Sequence, residues 1–218
     1  MTDWTSSYSV DYLSLSIGLL VAYLLGSIPT GFWLVRAIKG IDIREHGSGN
    51  TGATNVFRVA GKGLGITALV VDLLKGVLAV WFMSYLVEVW MNGQFPSDWK
   101  AGALTLAALL AVVGHSKSIW LGFSGGKSAA TGLGVLLALS PVVGLSVASV
   151  FIVALAISRT VSVGSIAAAL SVTIFMVLTQ QPLPYVLLSV VGGLYVVVRH
   201  RSNITRLLEG SEPKTFGG

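Results

Sequence analysis

The sequence predicts an all-α, polytopic integral membrane protein with about seven transmembrane helices, its N-terminus outside and its C-terminus cytoplasmic. Three observations lead there. Of the 218 residues, 54% are hydrophobic and only 11% are charged, and the mean hydropathy is +0.82, too apolar for a water-soluble domain. The charges divide the chain into stretches long enough for a bilayer core, which takes roughly 20 helical residues to cross. Once those stretches are alternated, nearly every lysine and arginine falls on one face.

Tyr12 to Val35 carries no charge and forms the first span. The residues before it lack the positive segment of a signal peptide, so this helix is expected to stay uncleaved. Leu64 to Leu86 is the second span, with Asp72 and Lys75 inside it, and Ala101 to Ser116 is a shorter third. Two charges three residues apart inside a membrane helix are expected to pair structurally, with each other or with neighbours, because an unpaired one is costly there. Ser128 to Ser158 is uncharged and too long for one ordinary span, and Pro141 near its middle marks the turn of a helical hairpin. Thr160 to Val198 is likewise uncharged and is divided into two helices by Pro182 and Pro184.

Alternating seven spans puts Arg36, Lys39, Arg44, Arg58, Lys62, Lys117, Lys127, Arg159, Arg199, Arg201, Arg206 and Lys214 on one side, with Lys100 alone opposite. Short cytoplasmic loops are rich in such residues, which fixes the orientation. The hairpin agrees, since a single span would part Lys127 from Arg159. The whole of 1–218 reads as one transmembrane domain, with cytoplasmic motif loops at about 36–63, 115–127 and 158–165 and a tail at 199–218.

Those connections hold the unusual polar chemistry. In "REHGSGNTGATN", residues 44–55, Gly47, Gly49 and Gly52 allow backbone N–H groups to approach an anion, while Ser48, Asn50, Thr54 and Asn55 add donors and Arg44 and Arg58 add charge. In "GHSKSIWLGFSGGKSAATG", residues 114–132, Gly125 and Gly126 precede Lys127 and the start of a helix, so backbone donors, the positive helix end and an ammonium converge on a phosphate. Glycines that only pack helices and basic residues that only set topology explain either loop alone equally well. Two such loops on one face favour an anion site.

Other chemistries are narrowed. Without cysteine there is no disulfide, thiolate metal site or cysteine nucleophile. "GFSGGKS" fails the Walker pattern, which needs glycine where Leu121 stands, and it follows a membrane helix where a Walker loop follows a strand. His46, His115 and His200 show no paired metal-ligand spacing, so no metal is expected. If the last helix continues, His200 and Asn203 share a face, as do Arg199, Asn203 and Arg206; an amphipathic surface helix explains this stripe as well as a ligand role does.

"GSIPTG" at 26–31, "DIREHGSGNTGATNVFRVAG" at 42–61, "GH" with "FSGGKSAATGLG" within 114–134, and "RHRSNITRLLEGSEPK" at 199–214 resemble the bacterial acyl-phosphate-dependent glycerol-3-phosphate acyltransferase family over essentially the whole chain. The resemblance implies transfer of a fatty acyl group from acyl phosphate to the 1-hydroxyl of glycerol 3-phosphate, yielding lysophosphatidic acid and inorganic phosphate, the first acylation of phospholipid synthesis. It implies that Ser48, Thr54, Arg58, Lys127 and the Gly125-Gly126 turn hold the acyl-phosphate group, that Ser165, His200 and Asn203 bind glycerol 3-phosphate, and that Gly49, Asn50, Gly52 and Asn55 support the first loop or donate from its backbone. Ser128 stands where the family usually has glycine.

The implied reaction needs no acyl-enzyme, since an acyl phosphate is already an activated anhydride; two anions must be brought together and charge stabilised. The motifs show no obvious carboxylate base, the family is thought to use a substrate phosphate for the proton, and His200 is the alternative. No cofactor is implied, and no nucleic acid. The partners implied are the two substrates, membrane lipid and the enzyme that produces the acyl phosphate; the location is the bacterial inner membrane, with the active site facing the cytoplasm. The acyl-CoA-dependent enzymes place an aspartate five residues after a histidine, where this chain has Thr51, Trp120 and Thr205. A transporter or flippase for a phosphorylated metabolite is the alternative from another class, but polar groups gathered at one interface and the lack of an inverted repeat stand against it.

Overall fold

The computed structural model describes residues 12–90 and 95–215, so the N-terminus lies outside the described residues. Ten α-helices build it: α1 (Tyr12–Ser27), α2 (Thr30–Lys39), α3 (Ala53–Ala60), α4 (Lys62–Tyr85), α5 (Ser97–Ser116), α6 (Ala129–Leu139), α7 (Pro141–Ser158), α8 (Val161–Leu178), α9 (Leu183–Arg199) and α10 (Arg201–Leu208). Four described helices are long and apolar enough to cross a membrane, or up to six if the bent pairs α1/α2 and α9/α10 each count once. The apolar helix α6 is shorter, at 11 residues.

The prolines act as their chemistry requires. Pro141 sits at the first position of α7, where a missing N–H costs nothing, and Ser140 forms the corner of the expected α6–α7 hairpin. Pro182 and Pro184 break the next stretch between α8 and α9. The first span departs from expectation. It does not run straight from Tyr12 to Val35, because Pro29 has no N–H to continue the ladder and the chain bends by 41° between α1 and α2. The 36–63 connection is likewise no mere loop. It contains a 3-10 turn at Ile43–Glu45 and the amphipathic helix α3, which buries Asn55 and Val56 and exposes Arg58.

The bundle has small residues inside and large ones outside. Ala22, Ala79, Ala107, Ala108 and Ala111 are fully buried, whereas Ile157, Leu170, Leu178 and Leu194 are at least 64% exposed. That inversion suits lipid, where large aliphatic side chains need no protein cover and helices associate through close backbone packing. Helix α4 lies at the centre, against α1, α3, α5 and α6. Its contact with α6 depends on glycine on both sides: a Cβ at Gly76 would collide with Thr131 O, and one at Gly134 with Leu73 O.

The two charges inside α4 find each other. Lys75 Nζ lies 2.8 Å from Asp72 Oδ1, with the side chains 3% and 2% exposed. Lys75 also donates to Ile28 O at 2.8 Å, so the pair ties α4 to the α1–α2 bend.

Candidate functional site

Residues from all four polar segments meet at one end of a cavity of about 310 Å³. At that end stand Ser48, Thr54, Arg58, Lys127, His200 and Asn203. Beyond them the wall becomes apolar, with Leu69, Leu133, Leu136, Val147, Phe151 and Val172 among its side chains. It therefore joins a small cationic chamber to an apolar shaft.

The first loop builds its shape with its own amides. Asn55, 2% exposed, donates from Nδ2 to the carbonyls of His46 at 3.0 Å and Asn50 at 2.8 Å, and accepts from Ser48 N at 2.9 Å. Asn50 Oδ1 accepts from Gly52 N at 2.8 Å, and Gly49, at φ 68, donates its N–H to His46 O. The N–H groups of Ser48, Gly49 and Gly52 thus fix the loop, and Gly49 does not reach the cavity wall. The hydroxyls of Ser48 and Thr54, the Asn50 side chain and the Arg58 guanidinium border the cavity from this loop; Arg58 also donates to Pro213 O at 3.3 Å. Arg44 adds no charge here. It pairs with Asp42 at 2.6 Å and lies over the Phe32 ring, and its hydrogen bonds hold the Asp42 carboxyl down to about 2.

The second loop is shaped by its neighbours. Gly126 donates its N–H to His115 O at 3.1 Å, and a Cβ there would collide with the His115 ring. Arg199 donates to the carbonyls of Gly125 at 3.1 Å and Gly126 at 2.9 Å. These two glycines are absent from the cavity wall, and the expected convergence of their N–H groups on a ligand is corrected for Gly126, whose donor is already engaged. Their service is to aim Lys127. Ser128 follows at φ 64, a left-handed conformation that favours glycine, with its Oγ anchored to Val112 O at 2.7 Å. Glycine, the residue expected at this position, would take that conformation without strain.

Lys127 Nζ donates to Asn203 Oδ1. Burial, with Arg206, Arg58 and Arg199 nearby and Glu212 partly opposing them, pushes its pKa down to about 8. On the other wall Ser165 faces the cavity, and His200, 4% exposed, has Nδ1 2.7 Å from Val196 O. A carbonyl only accepts, so Nδ1 carries the hydrogen and Nε2 of the neutral ring is left to accept one.

The residue that sequence reasoning passed over is Glu212. Its carboxylate accepts from Asn203 Nδ2 at 2.6 Å, Ser162 Oγ at 2.8 Å and Arg206 Nε at 2.7 Å, at the cavity wall. Burial alone would raise its pKa, but those donors outweigh burial and hold it below the ordinary carboxylate value. A motif carboxylate is therefore present, engaged as an orienting acceptor. Gly210, at φ 68, turns the tail back, and Thr215 N reaches Arg159 O at 2.7 Å. The glutamate lies beyond helical spacing of its partners, so only the charged "EGSEPK" run hinted at it.

His115 and Asp72 also border the cavity. Among the described residues no group of three or more His, Asp or Glu side chains stands together to hold a metal ion.

A family model described as "Glycerol-3-phosphate acyltransferase" matches residues 16–210. A glycerol-3-phosphate acyltransferase of Nostoc sp. is 57% identical over 201 residues, covering 89% of each chain. One from Trichormus variabilis is 55% identical over 204 residues, with the same coverage of both. In structure the chain is similar to PlsY (YgiH), an integral membrane glycerol 3-phosphate acyltransferase. Its glycerol 3-phosphate form matches with TM-score 0.83 and 37% identity over 94% of this chain and 96% of that one. Its lysophosphatidic acid form gives TM-score 0.81 and 36% identity with the same coverage.

Proposed function

The chain belongs to the glycerol-3-phosphate acyltransferase family, and from that premise we propose that it transfers a fatty acyl group from acyl phosphate to the 1-hydroxyl of glycerol 3-phosphate, giving lysophosphatidic acid and inorganic phosphate. This is the first acylation of phospholipid synthesis. The observation that carries the reading is the cavity's two unlike ends: a chamber with Arg58 and Lys127 for phosphoryl groups, opening into an apolar shaft for an acyl chain.

In this reaction the 1-hydroxyl oxygen attacks the acyl carbonyl carbon, the bond from that carbon to the phosphate oxygen breaks, and phosphate leaves with the electron pair. Arg58, Lys127, Ser48 and Thr54 hold the donor phosphate and balance its charge. Gly125 and Gly126 support Lys127 from behind, and Gly49, Asn50, Gly52 and Asn55 keep the first loop in shape. Asn203, aimed by Glu212, joins Ser165 and His200 in binding glycerol 3-phosphate. The hydroxyl proton passes to the departing phosphate, whose negative charge rises as the bond breaks; His200 Nε2 is the rival acceptor. Bringing two anions into one water-poor chamber against fixed donors supplies most of the acceleration.

The same reading sets the protein in the bacterial inner membrane as one seven-span domain. The bent pairs α1/α2 and α9/α10 each count as one crossing and α6 as another. The N-terminus lies outside, and the motif end faces the cytoplasm, where the enzyme that makes acyl phosphate supplies the donor. The lysines and arginines of all the motif segments at one end of the bundle support this. Transport is the weaker reading, because the cationic groups Arg58 and Lys127 gather at one end of the cavity and mostly apolar side chains line its depth.

The test uses protein purified in detergent with palmitoyl phosphate and glycerol 3-phosphate, following phosphate and lysophosphatidic acid together. Stoichiometric release from the acyl phosphate, none from palmitoyl-CoA and loss in Lys127→Ala are expected. No lipid product from either donor would sink the assignment, and a requirement for sealed vesicles would turn it toward transport.

A further inference from the structure

The depth of the shaft can be read from its walls. Lys127 touches Asn203, so the start of α6 and the end of α9 stand level at the polar chamber. From there the wall follows α9 down through Val196, Gly193, Gly192 and Ser189 to Leu188. Gly192 is eight residues from His200, about 12 Å at 1.5 Å per residue, and Leu188 about 18 Å. Opposite, Val172 lies seven residues beyond Ser165 and Leu136 seven beyond Ala129, each about 10 Å down.

Two adjacent glycines on α9 face different surroundings. Gly193 is packed: a Cβ there would stand 2.6 Å from Ala169 O of α8. Gly192, one residue on and turned about 100° around the helix, borders the cavity, and no heavy atom outside its own helix lies within 4 Å of where its Cβ would be. Glycine here serves no close helix contact and no unusual backbone angle. Its bare backbone widens the shaft between the polar chamber and the compartment bounded by Leu188, Val172, Leu136 and Val147.

We propose that Gly192 determines the acyl-chain length this protein accepts, by leaving open the passage through which a long chain reaches the deepest part of the shaft. A side chain at 192 would project into the path at mid-depth. Short acyl groups end above it, whereas long ones must pass it or bend away into lipid. The inference rests on the acyltransferase reading, since it concerns the donor's hydrocarbon tail.

The experiment measures kcat/KM of purified wild type, Gly192→Leu and Gly192→Ala with octanoyl, lauroyl, palmitoyl and stearoyl phosphate. In Gly192→Leu the palmitoyl-to-octanoyl ratio should fall on the order of ten- to a hundredfold, the discrimination that a few blocked methylenes command. Gly192→Ala should move the same ratio in the same direction by roughly threefold, and it serves if the leucine variant does not fold. Gly193→Ala, which strains the α8–α9 contact, should lower all four donors together if it is active. A Gly192→Ala or Gly192→Leu profile parallel to wild type, whether reduced or not, overturns the inference and puts the chain in the surrounding lipid. A wild type that transfers acyl groups from none of the four donors defeats the acyltransferase reading itself and takes this inference with it.

Discussion

The two glycine-rich loops resemble each other in composition and are built in opposite ways. The first holds itself: Asn55 joins Ser48, His46 and Asn50 within a dozen residues of chain, and Asp42 neutralises Arg44 beside it. The second is held by its surroundings. Ser118 Oγ donates to Ser27 O at 2.5 Å, Gly126 to His115 O, Ser128 to Val112 O, and Arg199 to two carbonyls. A self-contained loop carries its geometry wherever its helices go. A loop gripped by α1, α5 and α9 reports the state of the bundle, and it is this one that delivers the lysine.

The sharpest way to break the contrast is at its functional point. Lys127→Ala should lower kcat/KM for acyl phosphate by about 10²- to 10³-fold, the usual effect of deleting one fixed donor, while the thermal midpoint in detergent stays near wild type. A loss under tenfold would mean the second loop does not deliver the charge. Asn55→Ala strikes the first loop from within. It leaves the His46 and Asn50 carbonyls and the Ser48 N–H without their partner, so a destabilisation of about 2–4 kcal/mol is expected by thermal unfolding. Arg199→Ala should cost less, roughly a tenfold fall in kcat/KM and about 1–2 kcal/mol of stability, because it leaves two partly buried carbonyls without a donor at one edge of the loop.

The pH dependence separates the loops more gently. With its pKa near 8, Lys127 starts to lose its proton there. As pH rises through that value the ammonium disappears and kcat/KM for acyl phosphate should decline. Lys127→Arg keeps its charge and should flatten that limb; an equal decline in both would assign the titration to another group. The smallest effect is at Ser128. Ser128→Gly removes a left-handed strain of about 1 kcal/mol and a hydrogen bond of about 1 kcal/mol, so calorimetry should show little net change. Ser128→Ala keeps the strain and loses the bond, and should destabilise by about 1 kcal/mol.

What the sequence disclosed follows the same division. Pro141, Pro182 and Pro184 placed their breaks because proline acts on its own backbone, and Ser48, Arg58 and Lys127 were legible as polar groups in an apolar chain. The bend at Pro29 was available from the same rule, but an uncharged run concealed it. Helix α3 hid inside a glycine-rich connection that charge alone marked as a loop. Long-range engagements left no local trace. Nothing near Gly126 says that its N–H goes to the end of α5, and nothing near Glu212 says that a turn at Gly210 carries it back to Ser162, fifty residues earlier.

The folded-back tail also imposes an order of events. Glu212 and Thr215 follow every described helix along the chain, so they leave the ribosome after α1 to α10. Every helix of the bundle is therefore made before the carboxylate that gathers Ser162, Asn203 and Arg206. A chain halted before residue 212 would keep every described helix and lack the acceptor that joins α8 to α10.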